Sequence, residues 1–203
     1  MKLLELFSGT KSVGKVAEQL GYEVVSLDLK NADINCDILE WDYTIYPTGY
    51  FDVIWASPPC TEYSKAKSRG VRNIEEANKI VLRTLEIIEY YKPKHYIVEN
   101  PQTGLLKNQL FMSMLPYTDI DYCKYGMPYR KRTRLWNNVL NWIPRPLCKK
   151  DCNYMIGNRH IGSCGCGGQG QGHKVSYSNK SYSVLEKYVI PSDLIYEIFL
   201  CVE

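Results

Sequence analysis

Two spacings of apolar residues alternate along this chain. "KLLELF" (2–7) is a short apolar run of strand length, "SGTKSVG" (8–14) is a turn, and "KVAEQLG" (15–21) has helical spacing closed by Gly21. "YEVVSLD" (22–28) is a strand ending in an acid, and "FDVIWAS" (51–57) is another. Between Ile74 and Tyr91 the apolar residues Ile80, Leu85, Ile87 and Ile88 recur at mixed three- and four-residue steps. That segment is the longest predicted helix, and it stops before Pro93, whose ring disfavours helical backbone in the residue ahead of it. "HYIVEN" (95–100) and "TDIDYCKYG" (118–126) are further predicted strands. The alternation predicts an α/β fold, a mostly parallel sheet with helices on both faces. Function in such sheets gathers at the carboxyl ends of the strands.

From Asn137 to about Tyr177 the alternation fails, and the chain reads as a short irregular insertion rich in cysteine and glycine. "VIPSDLIYEIFL" (189–200) then predicts a helix after Pro191, so that residues 178–203 return to the main domain. A length of 203 residues suits one domain, and 45% hydrophobic with 23% charged residues is ordinary for a soluble globular protein. No apolar run has the length of a membrane span, and residues 1–10 are too short for a signal peptide. The expectation is a cytoplasmic protein with no membrane partner. In that compartment the eight cysteines are thiols, metal ligands or catalysts rather than disulfides.

The insertion has too little apolar content to fold around a core of its own, and a structural zinc ion would supply the missing stability. "CKKDC" offers Cys148 and Cys152, His160 follows, and "CGC" adds Cys164 and Cys166. The expected ligands are Cys148, Cys152, His160 and Cys164, with Cys123 and His173 outside the set; the competing reading is a group of free thiols in a loop. The net charge of +3 is unevenly spread. From Tyr122 to Lys150 stand eight basic residues (Lys124, Arg130, Lys131, Arg132, Arg134, Arg145, Lys149, Lys150) and no acid, with Trp136 and Trp142 among them. Such a block suits a polyanion surface, with a solvated basic face as the plainer alternative.

Four strand ends carry chemistry. The turn "LFSGTKSVG" brings backbone N–H groups and a helix start to a nucleotide-like ligand. Asp28 ends the second strand, where an acid can hold ribose hydroxyls. Cys60, in "WASPPCTEY", sits behind two prolines just after an apolar run, where a thiolate is presented rather than packed away. Glu99, in "VENP", stands where a carboxyl can act as a proton donor, with an ordinary helix-start acid as the plainer alternative.

Taken in order, the glycine turn, the acid, "NCDI", "SPPC", "VENP" and "YRKRTRLW" resemble the cytosine-5 DNA methyltransferase family over roughly residues 1–140. The resemblance implies a class I methyltransferase (Rossmann-like) fold, with an S-adenosylmethionine-binding catalytic domain at 1–136, a target-recognition insertion at 137–177 and a closing element at 178–203. Phe7, Gly9, Thr10 and Lys11 would border the donor, Asp28 and Leu29 its ribose, and Asp37 and Ile38 its adenine. Pro59 and Tyr188 would complete that site. Cys60 would add to carbon 6 of cytosine, Glu99 would hold ring nitrogen 3 and the exocyclic amine, and Arg132 and Arg134 would fit the family's QxRxR element, with Arg134 on the base carbonyl. Arg130, Lys131, Lys149 and Lys150 would meet the nucleic acid, and a cytosine in duplex DNA would be flipped out of the stack.

The chain departs from the family pattern at several points. Glu5 stands where Asp is frequent, Lys11 and Ser12 replace glycines, and Arg130 takes the place of the motif's glutamine. If Pro191 matches the family's C-terminal proline, Lys187 and Tyr188 replace a Gly-Asn pair. This last change raises carboxymethyl transfer from carboxy-S-adenosylmethionine as an alternative to methyl transfer. The short recognition segment raises RNA or a free nucleotide as the substrate, and a non-catalytic, nucleic-acid-binding relic is the reading outside enzymes. A dinucleotide-dependent oxidoreductase would share the sheet but would explain neither "SPPC" nor "VENP".

Overall fold

The computed structural model of the protein describes residues 1–65, 67, 70–163, 180, 181 and 183–202. Alternate residues of each central strand enter two separate cores, and this divides the molecule into layers. Leu3, Val53, Trp55 and Ile97 pack on one side, while Leu4, Ile54, Ala56 and Val98 pack on the other. The strands are β1 (Lys2–Leu6), β2 (Glu23–Asp28), β3 (Ile34–Asn35), β4 (Val53–Ala56), β5 (His95–Pro101), β6 (Tyr117–Asp121) and β7 (Arg132–Asn137). Their order in the sheet is β3-β2-β1-β4-β5-β7-β6. The first five run parallel, and β7 is antiparallel to both β5 and β6.

Helices cover both faces. On the first lie α1 (Ser12–Gln19), through Val13, Val16 and Ala17, and the C-terminal α5 (Ser192–Phe199), through Leu194, Ile195 and Ile198. On the second lie α2 (Ile74–Tyr91), through Ala77, Val81 and Ile87, and the short α3 (Leu110–Ser113), through Met112. The long helix has the limits that its spacing predicts. Asn73 caps it by accepting the Glu76 N–H, and Lys92, left-handed at φ 48°, ends it before Pro93.

Two expectations about the strands need correction. The segment 118–126 is a strand only as far as Asp121; Tyr122–Tyr125 then tighten into a 3-10 turn that Gly126 closes at φ 94°. The segment carrying the "RKRTR" motif is itself a strand, β7, in the antiparallel position between β5 and β6. Beyond it, residues 138–163 add nothing to the sheet, and their regular structure includes the small hairpin β8 (Met155–Ile156) and β9 (Arg159–His160). The chain comes back through α4 (Val184–Tyr188), whose Ser183 and Glu186 form a reciprocal capping box, and then α5. Among the described residues no helix is long and apolar enough to cross a membrane.

Glu5, near the end of β1, is buried at 3% exposure and accepts the Gly14 N–H at 3.0 Å. The helix can lie this close because Gly14 has no side chain: a Cβ there would stand 2.7 Å from Glu5 Oε2. Burial pushes the Glu5 carboxyl up to about 7, against the backbone N–H bonds that pull it down. The folded protein therefore holds this proton more tightly than the unfolded chain. The resulting stabilisation is complete below the unfolded value of 4.5 and is lost as pH rises through about 7. Urea unfolding across pH 5 to 8 is expected to show this component, at most about 3 kcal/mol, in wild type and to lose it in Glu5→Gln.

Candidate active site

A cleft of about 480 Å³ opens at the carboxyl ends of β1, β2, β4 and β5, within the size range of small-molecule sites. Its floor at one end is the turn after β1. Phe7 there takes a left-handed backbone at φ 60°, unusual outside glycine, and Gly9 follows at φ 48°. The pair turns the chain sharply, so that the N–H groups of Phe7 and Ser8 both meet the Leu27 carbonyl. Asp28 fixes the same turn from β2: its carboxylate accepts the Gly9 N–H at 2.8 Å and the Leu29 N–H at 2.7 Å. Phe7, Gly9, Thr10, Asp28 and Leu29 all line the cleft, as do Asp37 and Ile38 from the segment after β3. Lys11 does not; it stands at the start of α1, left-handed at φ 53°. Ser8 lines the cleft too, and its buried hydroxyl has no partner among the described residues. An unmet polar atom beside a glycine turn and two acids suits a nucleoside-type donor such as S-adenosylmethionine.

The other end of the cleft holds Cys60 and Glu99 together. The rigid "SPPC" segment leaves β4 and is tied to β5, since the Asn100 side-chain amide donates to the Pro58 carbonyl at 2.9 Å. Asn100 lines the cleft, and its buried Oδ1 has no partner among the described residues. Glu99 is 6% exposed. The Tyr122 hydroxyl donates to its Oε1 at 3.1 Å, and the Lys131 ammonium stands 3.5 Å from the same oxygen. Burial raises the Cys60 thiol above its ordinary value, the Glu99 charge raises it further, and the Lys131 charge partly offsets both. Pro59, Tyr188 and Ile190 close the remaining wall.

The structure does not bring Arg132 and Arg134 to this cleft. Side chains alternate along a strand, and β7 pairs Leu135 with Glu99 and Arg134 with Asn100. Leu135 belongs to the core on the Glu99 side and Trp136 to the opposite one, so the arginines share the far face. There each makes a two-pronged ion pair with β6, Arg132 with Asp121 and Arg134 with Asp119. Lys131 takes the place expected of an arginine. A shift of one residue along a strand exchanges its two faces, so Lys131 and not the arginines shares the Glu99 side.

The basic block also changes character. Lys124 pairs with Asp151, Lys131 with Glu99 and Arg145 with Glu197 and Asp193, which with the two arginines engages five of its eight cations. Arg130, Lys149 and Lys150 are exposed, with no ion pair among the described residues. Trp136 and Trp142 are buried rather than offered to a base. Of the expected zinc ligands, Cys148, Cys152 and His160 come together, Cys123 joins them, and Cys164 lies outside the described residues, as do Cys166 and His173.

Residues 1–110 match the family model of the C-5 cytosine-specific DNA methylases. A Frog virus 3 (isolate Goorha) protein named "Probable DNA (cytosine-5)-methyltransferase" is 36% identical over 99% of this chain and 100% of its own length. The chain belongs to the C-5 cytosine-specific DNA methylase family. It is an enzyme of that class, and the reaction that goes with membership is methyl transfer from S-adenosylmethionine to carbon 5 of cytosine in DNA. Among solved structures, a prophage-encoded E. coli protein assigned as a DNA modification methyltransferase matches with a TM-score of 0.54 at 14% identity. The match covers 73% of this chain and 52% of that one, so the chain spans about half the length of that protein. A Spodoptera frugiperda DNMT2 mutant matches at a TM-score of 0.49 and 16% identity, over 74% of this chain and 56% of that one. The E. coli match, with the mostly parallel sheet and its helices on both faces, shows the fold of a class I methyltransferase. The family match and the viral relative favour neither carboxymethyl transfer, nor an RNA or nucleotide substrate, nor a non-catalytic relic.

Donor titration by calorimetry separates the cleft residues from their neighbours. Asp28→Ala, which removes both turn contacts, is expected to weaken S-adenosylmethionine binding about tenfold or more, and Lys11→Ala to leave it within about twofold. Arg134→Ala strands the Asp119 carboxylate; it is expected to cost about 3 kcal/mol of stability in urea while donor affinity stays unchanged.

Proposed function

We propose that the protein methylates carbon 5 of a cytosine flipped out of duplex DNA, with Cys60 as the nucleophile, Glu99 as the group that holds the base edge and Lys131 as the cation beside them. The observation that carries this reading is one cleft whose wall includes Cys60, Glu99 and Lys131 at one end and the Phe7–Asp28 turn at the other. Bound S-adenosylmethionine supplies an electrophilic methyl group on a sulfonium sulfur. The Cys60 thiolate adds to carbon 6 of the ring, and the displaced electron pair makes carbon 5 nucleophilic. Glu99 faces ring nitrogen 3 and the exocyclic amine; a proton donated from its carboxyl to nitrogen 3 offsets the negative charge that builds in the ring, and Tyr122 keeps that carboxyl in place. Lys131 lowers the cost of ionising Cys60 and of gathering negative charge near it. Carbon 5 then takes the methyl group, the broken carbon–sulfur bond leaving its electron pair on the donor's sulfur; loss of the carbon-5 proton to a base expels the Cys60 sulfur as a thiolate and restores the aromatic ring.

DNA is the substrate that the family supports, and Arg130, Lys149 and Lys150 are the exposed cations available for its phosphates. A structural zinc, expected on Cys148, Cys152, His160 and Cys164, belongs to the same reading; the first three lie together and Cys164 is outside the described residues. The setting that fits is the cytoplasm of a bacterial or virus-infected cell, where DNA and donor meet.

Mass spectrometry of nucleosides from DNA of cells expressing the protein is expected to show 5-methylcytosine, and none with Cys60→Ala. Appearance of a carboxymethylated base, or of 5-methylcytosine in the Cys60→Ala cells, would refute the reaction or its nucleophile. Because the thiol ionises above its ordinary range, covalent trapping on DNA carrying 5-fluorocytosine is expected to accelerate with pH beyond about 8.5. Lys131→Ala is expected to move that limb to higher pH and to slow trapping at pH 7.5 by about tenfold for each unit of displacement.

A further inference from the structure

Three cysteines and a histidine from separate parts of the chain converge at the edge of the catalytic sheet. Cys123 lies on the turn after β6, Cys148 and Cys152 bracket "KKD" in the insertion, and His160 ends β9. Their four ligand atoms all lie within 4.8 Å of one another. Cys148 Sγ is 3.5 Å from His160 Nε2. A tetrahedral zinc ion with Zn–S of about 2.3 Å and Zn–N of about 2.0–2.1 Å sets that separation at about 3.5 Å. Cys123 and Cys148 are buried and the other two half-buried, the enclosure of a structural ion rather than one that must receive substrate. The backbone supports the same assignment. Lys150 turns left-handed at φ 68°, and its N–H donates to Cys148 Sγ at 3.3 Å, a contact that steadies a metal-bound thiolate.

We propose that Cys123, Cys148, Cys152 and His160 bind one structural zinc ion, and that this ion joins the insertion to the catalytic sheet. The fourth position goes to Cys123, a residue of the catalytic half, in place of Cys164. On binding, each thiol gives up its proton to solvent and becomes a thiolate ligand. The ion then anchors the turn on which the active-site carboxyl is braced. Tyr122, next to Cys123, donates to Glu99, and Asp121 accepts both the Arg132 guanidinium and the Cys148 N–H. Only this bracing rests on the methyltransferase reading; the metal site stands without it.

The full-length protein, expressed with zinc and freed of loosely held metal by gel filtration, is expected to carry about one zinc per chain by elemental mass spectrometry. Exchange with cobalt(II) is expected to give the visible bands of a tetrahedral thiolate site. Cys123→Ser should lose the metal and melt at lower temperature, while Cys164→Ser and Cys201→Ser keep it. A wild-type chain without zinc and without the cobalt spectrum overturns the site, and so does retention in Cys123→Ser with loss in Cys164→Ser. These measurements need neither donor nor DNA, so their failure leaves methyl transfer untouched. For the bracing, chelator-stripped protein is expected to keep its S-adenosylmethionine affinity but to trap 5-fluorocytosine DNA at least about tenfold more slowly. An unchanged trapping rate, or loss of donor binding along with the metal, overturns the local role.

Discussion

The cleft depends on keeping one carboxyl almost out of water while it still lines the wall. Glu99 is 6% exposed, and an isolated charge so placed would be strongly disfavoured. Two groups from different segments make it tolerable, the Tyr122 hydroxyl and the Lys131 ammonium. Both come from the excursion through β6 and β7, so the antiparallel strand does more than widen the sheet: it carries the partners of the acid that β5 presents. The same cation also moderates the ionisation of Cys60. Cys60, Glu99 and Lys131 therefore form one electrostatic unit, and no member can be changed without altering the others.

The parts of the fold that were legible in the sequence are those in which local pattern and tertiary packing agree. The helix Ile74–Tyr91 shows its spacing, its Asn73 cap and its proline stop within one stretch of chain. The ends of β1, β2, β4 and β5 announce themselves because each apolar run stops at a polar residue that then lines the cleft. What was missed is non-local. In "YRKRTRLW" a charged residue stands at four of the first six positions, so no clear alternation betrays which residues face the core, and only the pairing of Glu99 with Leu135 sets the register. The block's apparent charge misled for a similar reason, since its counter-ions come from β6, from Asp151 and from α5 near the C-terminus. Cys123 stands 25 residues before Cys148, and no ligand spacing connects them; the turn after β6 does.

The C-terminal segment shows how a small chain holds a two-ended cleft together. Ile190 donates its N–H to the Ser12 hydroxyl at 3.2 Å, beside the donor end. A few residues earlier, the Glu186 and Lys187 carbonyls accept from the Tyr129 hydroxyl at 3.2 Å and the Lys131 ammonium at 3.3 Å, at the base end. Tyr188, between these fastenings, lines the cleft while remaining 53% exposed. Residues 186–190 thus span the cleft wall from Lys131 to Ser12. Lys131 is held from two directions, by the Glu99 carboxylate and by a backbone carbonyl of this segment. Movement of the segment would consequently displace the cation on which Cys60 and Glu99 both depend. The C-terminal element is therefore part of the electrostatics of the cleft, through backbone carbonyls rather than through the side chains at 187 and 188.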